Sequence, residues 1–275
     1  MPSSKHVPIR LPLLALAVLA LVLQLAGALD RADDRLGDWM LARHAQSRIP
    51  PDDIVVVALD QRSLEELNEL AGSWPWPRSV HAELLDMLAP HGPKAVAFDL
   101  FFNEADRFQD LSDEAFADTV AGLDNLFFAS LRLADGNPAP LAMLPPSFGA
   151  EQRPGANPDA RAILLVPGIL REESWRGGLV NFEADADGIG RHTRLYEEVE
   201  GWRLHSLEAN LARFAGIDLP EAQRLRLHWY GQPPPTIAYS DLFHDLESET
   251  PTLAPTLAGK IVMIGATAPG LLDMR

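Results

Sequence analysis

The sequence contains no cysteine among its 275 residues. Disulfide bonds, thiolate metal sites and thiol catalysis are therefore excluded, because each of them needs a cysteine sulfur. Basic residues are also scarce, at 23 Lys and Arg against 39 Asp and Glu, which gives a net charge of −16. So acidic a chain repels the phosphate backbone, and we expect no binding to nucleic acid.

Motifs that would indicate catalysis or a cofactor are also missing. Gly265 and Gly270 have the spacing of a P-loop, but two leucines stand where Lys and Ser or Thr are required. Residues 183–188 begin like a calcium-binding loop, yet the twelfth position is Arg194 rather than glutamate, which favours a simple Asp187-Gly188 turn. The eight histidines form no short-range metal-binding pair. We therefore expect no cofactor.

One long hydrophobic run extends from Leu11 to Leu29, where every residue except Gln24 is apolar or small. As an α-helix this run would be about 28 Å long, close to the roughly 30 Å hydrocarbon core of a bilayer. The sequence therefore predicts a transmembrane helix at residues 11–29. A cleaved signal peptide is the alternative, because Ala26-Gly27-Ala28 has the small-x-small form of a cleavage site.

The charges that flank this run differ in sign. Lys5 and Arg10 precede it, whereas Asp30, Asp33 and Asp34 follow it. The positive-inside rule then places residues 1–10 in the cytoplasm and the body of the protein outside. Under both interpretations of the run, the body of the protein is exported from the cytoplasm.

Apolar runs and amphipathic segments alternate along the body. Residues 30–51 are predicted as a helical stalk that Pro50-Pro51 ends. Strands are predicted at 54–59, 95–102, 126–131, 162–166, 178–182, 193–199 and 260–264, and helices at 63–71, 80–88, 113–123, 203–215 and after Ser240. Residues 135–160, rich in proline, are predicted as an exposed loop. The pattern indicates an α/β fold with a mostly parallel central sheet covered by helices, preceded by one transmembrane helix.

Two aspartates stand at the carboxyl ends of predicted central strands. Asp60 follows the first strand, and Asp99 lies near the end of the second. If these strands are neighbours, both carboxylates lie in the crevice where open α/β sheets bind ligands. Arg78 starts the helix that leads into the second strand, so we expect it to pair with one of them. The alternative is that each aspartate only bonds backbone amides at a strand-to-helix turn.

The stretch Trp74-Pro75-Trp76-Pro77 is the least random part of the chain. The prolines fix φ at alternate positions and push each preceding tryptophan toward an extended conformation. The result is a stiff turn that presents two large aromatic side chains. A packed aromatic turn is the alternative to a ligand-binding one. His81, on the next predicted helix, is expected to be packed or exposed rather than catalytic, and so is His205.

The succession of motifs resembles the type-two CHASE domain, an extracytoplasmic sensory module of bacterial signalling receptors. The matching pieces are Ile54–Asp60, Trp74–His81, Lys94–Phe102, Asn181-Phe182 before Asp187-Gly188 and Arg191, Tyr239–Asp241, and Gly259–Gly270. They span almost the whole body. Among their charged and aromatic side chains we select as candidate ligand-binding residues Asp60, Trp74, Trp76, Arg78, His81, Asp99, Asp187 and Arg191.

The resemblance implies that residues 52–275 are a sensor for a small-molecule or envelope ligand. In that family such a domain signals through membrane helices to a cyclase or kinase, and this chain contains no such output. The implied location is the inner membrane, with the domain in the periplasm or outside the cell, and a homodimer is left open. Two other functions remain as alternatives. One is an exported metal-assisted hydrolase that uses Asp60 and Asp99, and the other is an interaction module of an envelope complex.

The change in the sign of the flanking charges across residues 11–29 predicts the membrane topology of the protein. Alkaline phosphatase fused after Arg48 should be active in a bacterial host, because the enzyme folds only outside the cytoplasm. An inactive fusion would indicate the opposite orientation, with the body of the protein in the cytoplasm. Recovery of a mature protein that starts near Leu29 would select the signal peptide over the anchor.

Overall fold

The computed structural model describes residues 28–106, 109–185 and 187–271, together with Val18 and Val22. These residues divide into two compact units. The smaller unit contains the described residues before Pro51 together with His228–Gln232, and the larger unit contains the rest of the described chain.

The smaller unit is built on one helix, α1, at Ala28–Ala45. It ends before the Pro50-Pro51 pair, in agreement with the predicted helical segment. No helix among the described residues is long and apolar enough to cross a membrane. The predicted span at residues 11–29 lies outside those residues, apart from Val18, Val22 and the first two residues of α1, so it stays a prediction.

The segment His228–Gln232 packs beside the end of α1. The amide of Gly231 donates a hydrogen bond to the carbonyl of Arg48 at 3.2 Å. The Arg48 guanidinium lies 5.2 Å from the centre of the Tyr230 ring. A Cβ atom on Gly231 would stand only 2.8 Å from the Ala45 carbonyl oxygen, so this close approach requires glycine. No sequence pattern predicted the contact, because its two sides lie far apart in the chain.

The larger unit contains six helices and fourteen strands within the part of the chain that is described. The helices are α2 (Gln61–Glu66), α3 (Asn68–Ala71), α4 (Arg78–Leu88), α5 (Asp110–Ala121), α6 (Leu207–Phe214) and α7 (Tyr239–Glu247). The strands are β1 (Ile54–Leu59), β2 (Ala95–Asp99), β3 (Leu126–Arg132), β4 (Ala139–Pro140), β5 (Glu151–Gln152), β6 (Arg161–Ala162), β7 (Leu164–Leu165), β8 (Gly177–Leu179), β9 (His192–Arg194), β10 (Tyr196–Val199), β11 (Trp202–His205), β12 (Arg224–Arg226), β13 (Thr236–Ala238) and β14 (Ile261–Ala266).

A seven-stranded sheet forms the centre of the larger unit. Its order is β13-β1-β14-β2-β3, and both β7 and β8 pair with β3. Every pair is parallel except β3 with β7. Helices cover both faces. Val57, Phe98 and Ile264 pack on one face in the largest core, and Phe127 packs against Leu207 of α6 on the other. The predicted α/β fold with a mostly parallel, helix-covered sheet is therefore confirmed.

The last strand, β14, lies between β1 and β2. Ile264 is in register with Val57 on one side and with Phe98 on the other. Our expectation that β1 and β2 are neighbours was therefore wrong. The apolar run of β14 is buried best at the centre of the sheet. The long separation in sequence between β14 and its two partner strands adds little to the cost of pairing them, because the entropy cost of loop closure rises only slowly with loop length.

The helix predicted at 203–215 begins later than expected. Trp202–His205 is strand β11, which pairs antiparallel with β10, and α6 starts at Leu207 after Ser206 as N-cap. The hydroxyl of Ser206 accepts a hydrogen bond from the Ala209 amide at 3.2 Å. His205 thus lies on a strand rather than on a helix. Leu204 fits both a strand and a helix period, so the pattern alone did not mark this boundary.

The proline-rich stretch 135–160 contributes to a second, smaller core. Leu141, Phe148 and Ala160 are buried there against Trp202 and Leu204 of β11. The expectation of an exposed loop was therefore wrong for these three side chains. The stretch holds only 3₁₀ turns and two-residue strands. Its apolar residues are interrupted by prolines and glycines, so they show no sustained helix or strand period.

Gly178 supports a close contact between β8 and the start of α6. A Cβ atom at this position would stand 2.4 Å from the Leu207 amide nitrogen, which is a backbone atom that cannot rotate away. Gly178→Ala should therefore lower the free energy of unfolding by about 1–3 kcal/mol or more, measured by urea denaturation. Gly122→Ala is the matched control, because the nearest atom there is 3.4 Å away. Equal stability of both variants would contradict this close contact between β8 and α6.

Candidate functional site

The tryptophan-proline turn is part of the hydrophobic core. Trp76 is only 1% exposed, whereas Trp74 is half-buried. The two rings meet edge to face with their centroids 5.4 Å apart. The Trp74–Pro75 peptide bond is cis, and Pro77 is the N-cap of α4. The turn is therefore a packed aromatic turn. Of its two indoles, Trp74 retains the larger surface for a ligand.

His81 lies on the buried face of α4, at the centre of this aromatic cluster. Its Nδ1 atom and the hydroxyl of Tyr239 on α7 are 3.0 Å apart, and the Phe98 and Phe102 rings surround the imidazole. Burial, and to a smaller extent the nearby charge of Arg78, lower the pKa of His81 to about 3. Burial also raises the pKa of Tyr239. The pair is therefore a neutral hydrogen bond that connects α4 to α7.

Arg78 pairs with an aspartate that the sequence analysis did not single out. Its Nε atom lies 3.9 Å from Oδ1 of Asp113 on α5, and both atoms are buried without a hydrogen-bond partner. Its Nη1 atom donates to the Trp76 carbonyl at 3.4 Å. The expected pairing with Asp60 or Asp99 was therefore wrong. Helix α5 packs beside α4 and brings Asp113 to the start of that helix.

Asp60 caps a helix. Its Oδ1 atom accepts a hydrogen bond from the Ser63 amide at 2.7 Å, which makes Asp60 the N-cap of α2. The helix predicted at 63–71 therefore begins two residues earlier than expected, at Gln61. The Ser63 hydroxyl accepts a hydrogen bond from the amide of Ser240 at 3.2 Å. The structural role that we weighed for Asp60 is the one the geometry supports.

Asp99 ends β2 with an exposed side chain. It is in register with Gly265 of β14, and a Cβ atom on that glycine would stand 3.5 Å from the Asp99 Cβ. Because β14 intervenes, about 9.5 Å of sheet separates the strands of Asp60 and Asp99. The two aspartates therefore lie on one edge of the sheet without forming the adjacent pair that we expected.

Asp187 and Arg191 bind each other in a separate polar group. Two nitrogens of the guanidinium donate to the two oxygens of Asp187 at 2.9 and 2.8 Å, and Arg191 is only 3% exposed. These hydrogen bonds, and one from the Ile189 amide, lower the pKa of Asp187 to about 2. Gly188 has φ +83°, and its amide donates to Asp185, which confirms the predicted turn. The ion pair stabilises the loop between β8 and β9.

A third polar group lines a cavity that no motif predicted. The cavity has a volume of about 230 Å³ and lies beside Tyr196 of β10, His205 of β11 and Arg213 of α6. The sequence spacing of these residues gave no signal of the cavity, because they come from separate elements. These side chains come together only when the β10-β11 hairpin and α6 fold. Among the described residues, no group of three or more His, Asp or Glu is placed to hold a metal ion.

The buried imidazole of His81 predicts a specific dependence of stability on pH. His81 has a pKa of about 3 in the folded protein and near 6.5 in the unfolded chain, so only the unfolded chain binds the proton between these values. The stability that this difference contributes is complete above pH 6.5 and is lost as the pH falls toward 3. Between pH 7 and pH 5 the wild type should lose about 2 kcal/mol more than His81→Phe, measured by urea denaturation.

His244→Gln is the matched control, because His244 is exposed on α7. This variant should show the same dependence of stability on pH as the wild type. If the wild type and His81→Phe lose the same stability between the two pH values, the imidazole is not buried in neutral form.

Comparison with known proteins agrees with the motif succession. The family model of the CHASE2 domain matches residues 14–275, which includes the whole central sheet, the tryptophan-proline turn and the closing strand β14. No similar protein was found among curated proteins, and no similar structure among solved ones. CHASE2 domains are extracytoplasmic sensory domains. The chain belongs to the CHASE2 domain family.

Proposed function

We propose that this chain is the ligand-sensing part of a bacterial transmembrane signalling receptor. Residues 11–29 anchor it in the inner membrane, and the body lies in the periplasm or outside the cell. It passes the signal to a cyclase or kinase. The observation that carries the proposal is the family match over residues 14–275. The step in charge across the hydrophobic run supports the orientation.

The polar geometry supports a sensor better than a hydrolase. The carboxylate of Asp60 is engaged by the Ser63 amide, and a whole strand separates it from the strand of Asp99. The two aspartates would have to converge on one metal ion or one water molecule for the hydrolytic mechanism. The aromatic side chains around His81 instead form a packed core. Through this core, a change at the surface can be transmitted from one helix to another.

A chimeric receptor tests the sensory function. The chain would be joined after Arg275 to the membrane helices and catalytic domain of an adenylate cyclase receptor, in a host without its own cyclase. We expect the level of cyclic AMP to change by at least about threefold when the cells are exposed to fractions of culture medium or envelope extract. A chimera without residues 52–275 is the control and should give a constant level.

A parallel assay measures the hydrolysis of 4-nitrophenyl acetate by the purified chain with Mg²⁺, Mn²⁺ or Zn²⁺. A constant output of the complete chimera, together with turnover that Asp60→Asn and Asp99→Asn abolish, would replace the sensor by the hydrolase.

A further inference from the structure

The cavity beside the β10-β11 hairpin has the features of a small-molecule site. Its volume is about 230 Å³, and it is bounded by the hairpin, the end of α6 and residues 217–221. Tyr196 and His205 are buried at its inner end, while Arg213, Ile217 and Asp218 are exposed at its mouth. A ligand there would contact buried and exposed groups together, as in most specific binding sites.

The two arginines of the cavity differ in what they already bind. Arg203 packs 4.3 Å from the centre of the Tyr196 ring and forms salt bridges with Glu198 at 3.4 Å and Glu221 at 3.2 Å. Arg213 lies in the last turn of α6, and no carboxylate among the described residues is within 4 Å of its guanidinium. Arg213 is therefore the cation that is available to an anionic group of a ligand.

His205 forms the inner end of the cavity, and its side chain is only 1% exposed. Its Nε2 atom lies 3.3 Å from Oε2 of Glu151, and its Nδ1 atom is buried without a hydrogen-bond partner. Burial, followed by the charge of Arg213, lowers the pKa of His205, so the ring is neutral near pH 7. A neutral His205 adds no charge to the cavity, so the cations there are Arg203 and Arg213.

The rest of the lining supplies a negative charge and apolar contact. Asp218 is exposed, and no cation among the described residues lies within 4 Å of its carboxylate. The aliphatic side chains of Ile217 and Leu219 line the same cavity. One unpaired cation, one unpaired carboxylate and an aliphatic wall therefore surround a single small volume. A zwitterion with an aliphatic side chain complements all three.

We propose that this cavity binds an aliphatic α-amino acid. The carboxylate of the ligand binds Arg213, its ammonium group donates to Asp218, and its side chain contacts Ile217 and Leu219. This inference rests on the proposed sensory function, since it names the class of molecule that the sensor detects. The binding itself can be measured without any signalling output.

Three probes that differ by one group each test the inference on the full chain, purified in mild detergent, by isothermal titration calorimetry. L-Leucine carries both charged groups, 4-methylpentanoate lacks the ammonium group, and 3-methylbutylamine lacks the carboxylate. We expect L-leucine to bind at least about tenfold more tightly than either of the others, because each lost charge-assisted hydrogen bond weakens binding by at least that factor.

Two substitutions locate the binding in this cavity. Arg213→Gln should weaken L-leucine binding at least about tenfold. Asp218→Asn should weaken the binding of L-leucine and leave the binding of 4-methylpentanoate unchanged. Arg226→Gln is the matched control, because Arg226 is exposed, pairs with no carboxylate among the described residues and does not line the cavity. It should bind L-leucine like the wild type.

Each contrary result overturns a defined part of the inference. If L-leucine does not bind, the cavity is not an amino-acid site, even if the chimeric receptor responds to another fraction. If Arg213→Gln binds like the wild type, the amino acid binds elsewhere. If 4-methylpentanoate binds as tightly as L-leucine, the site takes a simple anion. L-Leucine binding together with a chimera of constant output would instead reject the sensory function and keep the cavity.

Discussion

The position of β14 between β1 and β2 is the constraint on which the rest of the larger unit depends. The inner edges of β1 and β2 pair with β14 and not with each other. Until this strand enters, the backbone amides and carbonyls on these inner edges have no partners, and such groups are costly to bury. The sheet is therefore complete only when the last part of the described chain has joined the first. Folding of the domain requires contacts that are distant in sequence, which is the kind of topology that folds slowly.

The same constraint arranges the polar residues. By separating β1 from β2, β14 keeps Asp60 away from Asp99, and each carboxylate then has its own surroundings. Asp60 caps α2, and Asp99 remains exposed at the edge of the sheet. Arg78 pairs with Asp113 on the neighbouring helix, where the two charges are partly screened from water. The motif residues thus serve mainly to hold helices to the sheet.

The cavity beside the β10-β11 hairpin is connected to the central sheet by a short path. The hairpin leads into α6 through Ser206, and a bridge pairs Ser206 with Leu179 of β8. Strand β8 in turn pairs with β3, and the glycine at position 178 allows α6 to approach closely. A shift of the hairpin would therefore press on the backbone of α6 and β8 rather than on flexible side chains. Packed backbone transmits displacement better than a loosely packed surface does, because interiors are dense and hardly compressible.

The sequence by itself determined the classes of element and the family. Unbroken apolar runs such as Ile54–Leu59 can be buried only in a sheet covered on both faces, and the tryptophan-proline turn and the closing glycine-rich segment are recognisable without a structure. Periodicity is a local property, so it predicted strands and helices well wherever one period dominated. It did not predict the boundary at Ser206 between β11 and α6, because Leu204 fits both periods, nor the buried side chains of the proline-rich stretch.

Only the tertiary structure decided which side chains meet. The order of strands in the sheet, the pairing of Arg78 with Asp113, the burial of His81 against Tyr239 and the cavity around His205 all join residues from separate elements. Their contacts follow from the global arrangement that buries the most apolar surface while pairing the backbone, and no short stretch of sequence contains that information. The sequence thus indicated the residues capable of binding, and the fold decided which of them are used to stabilise it and which remain open to a ligand.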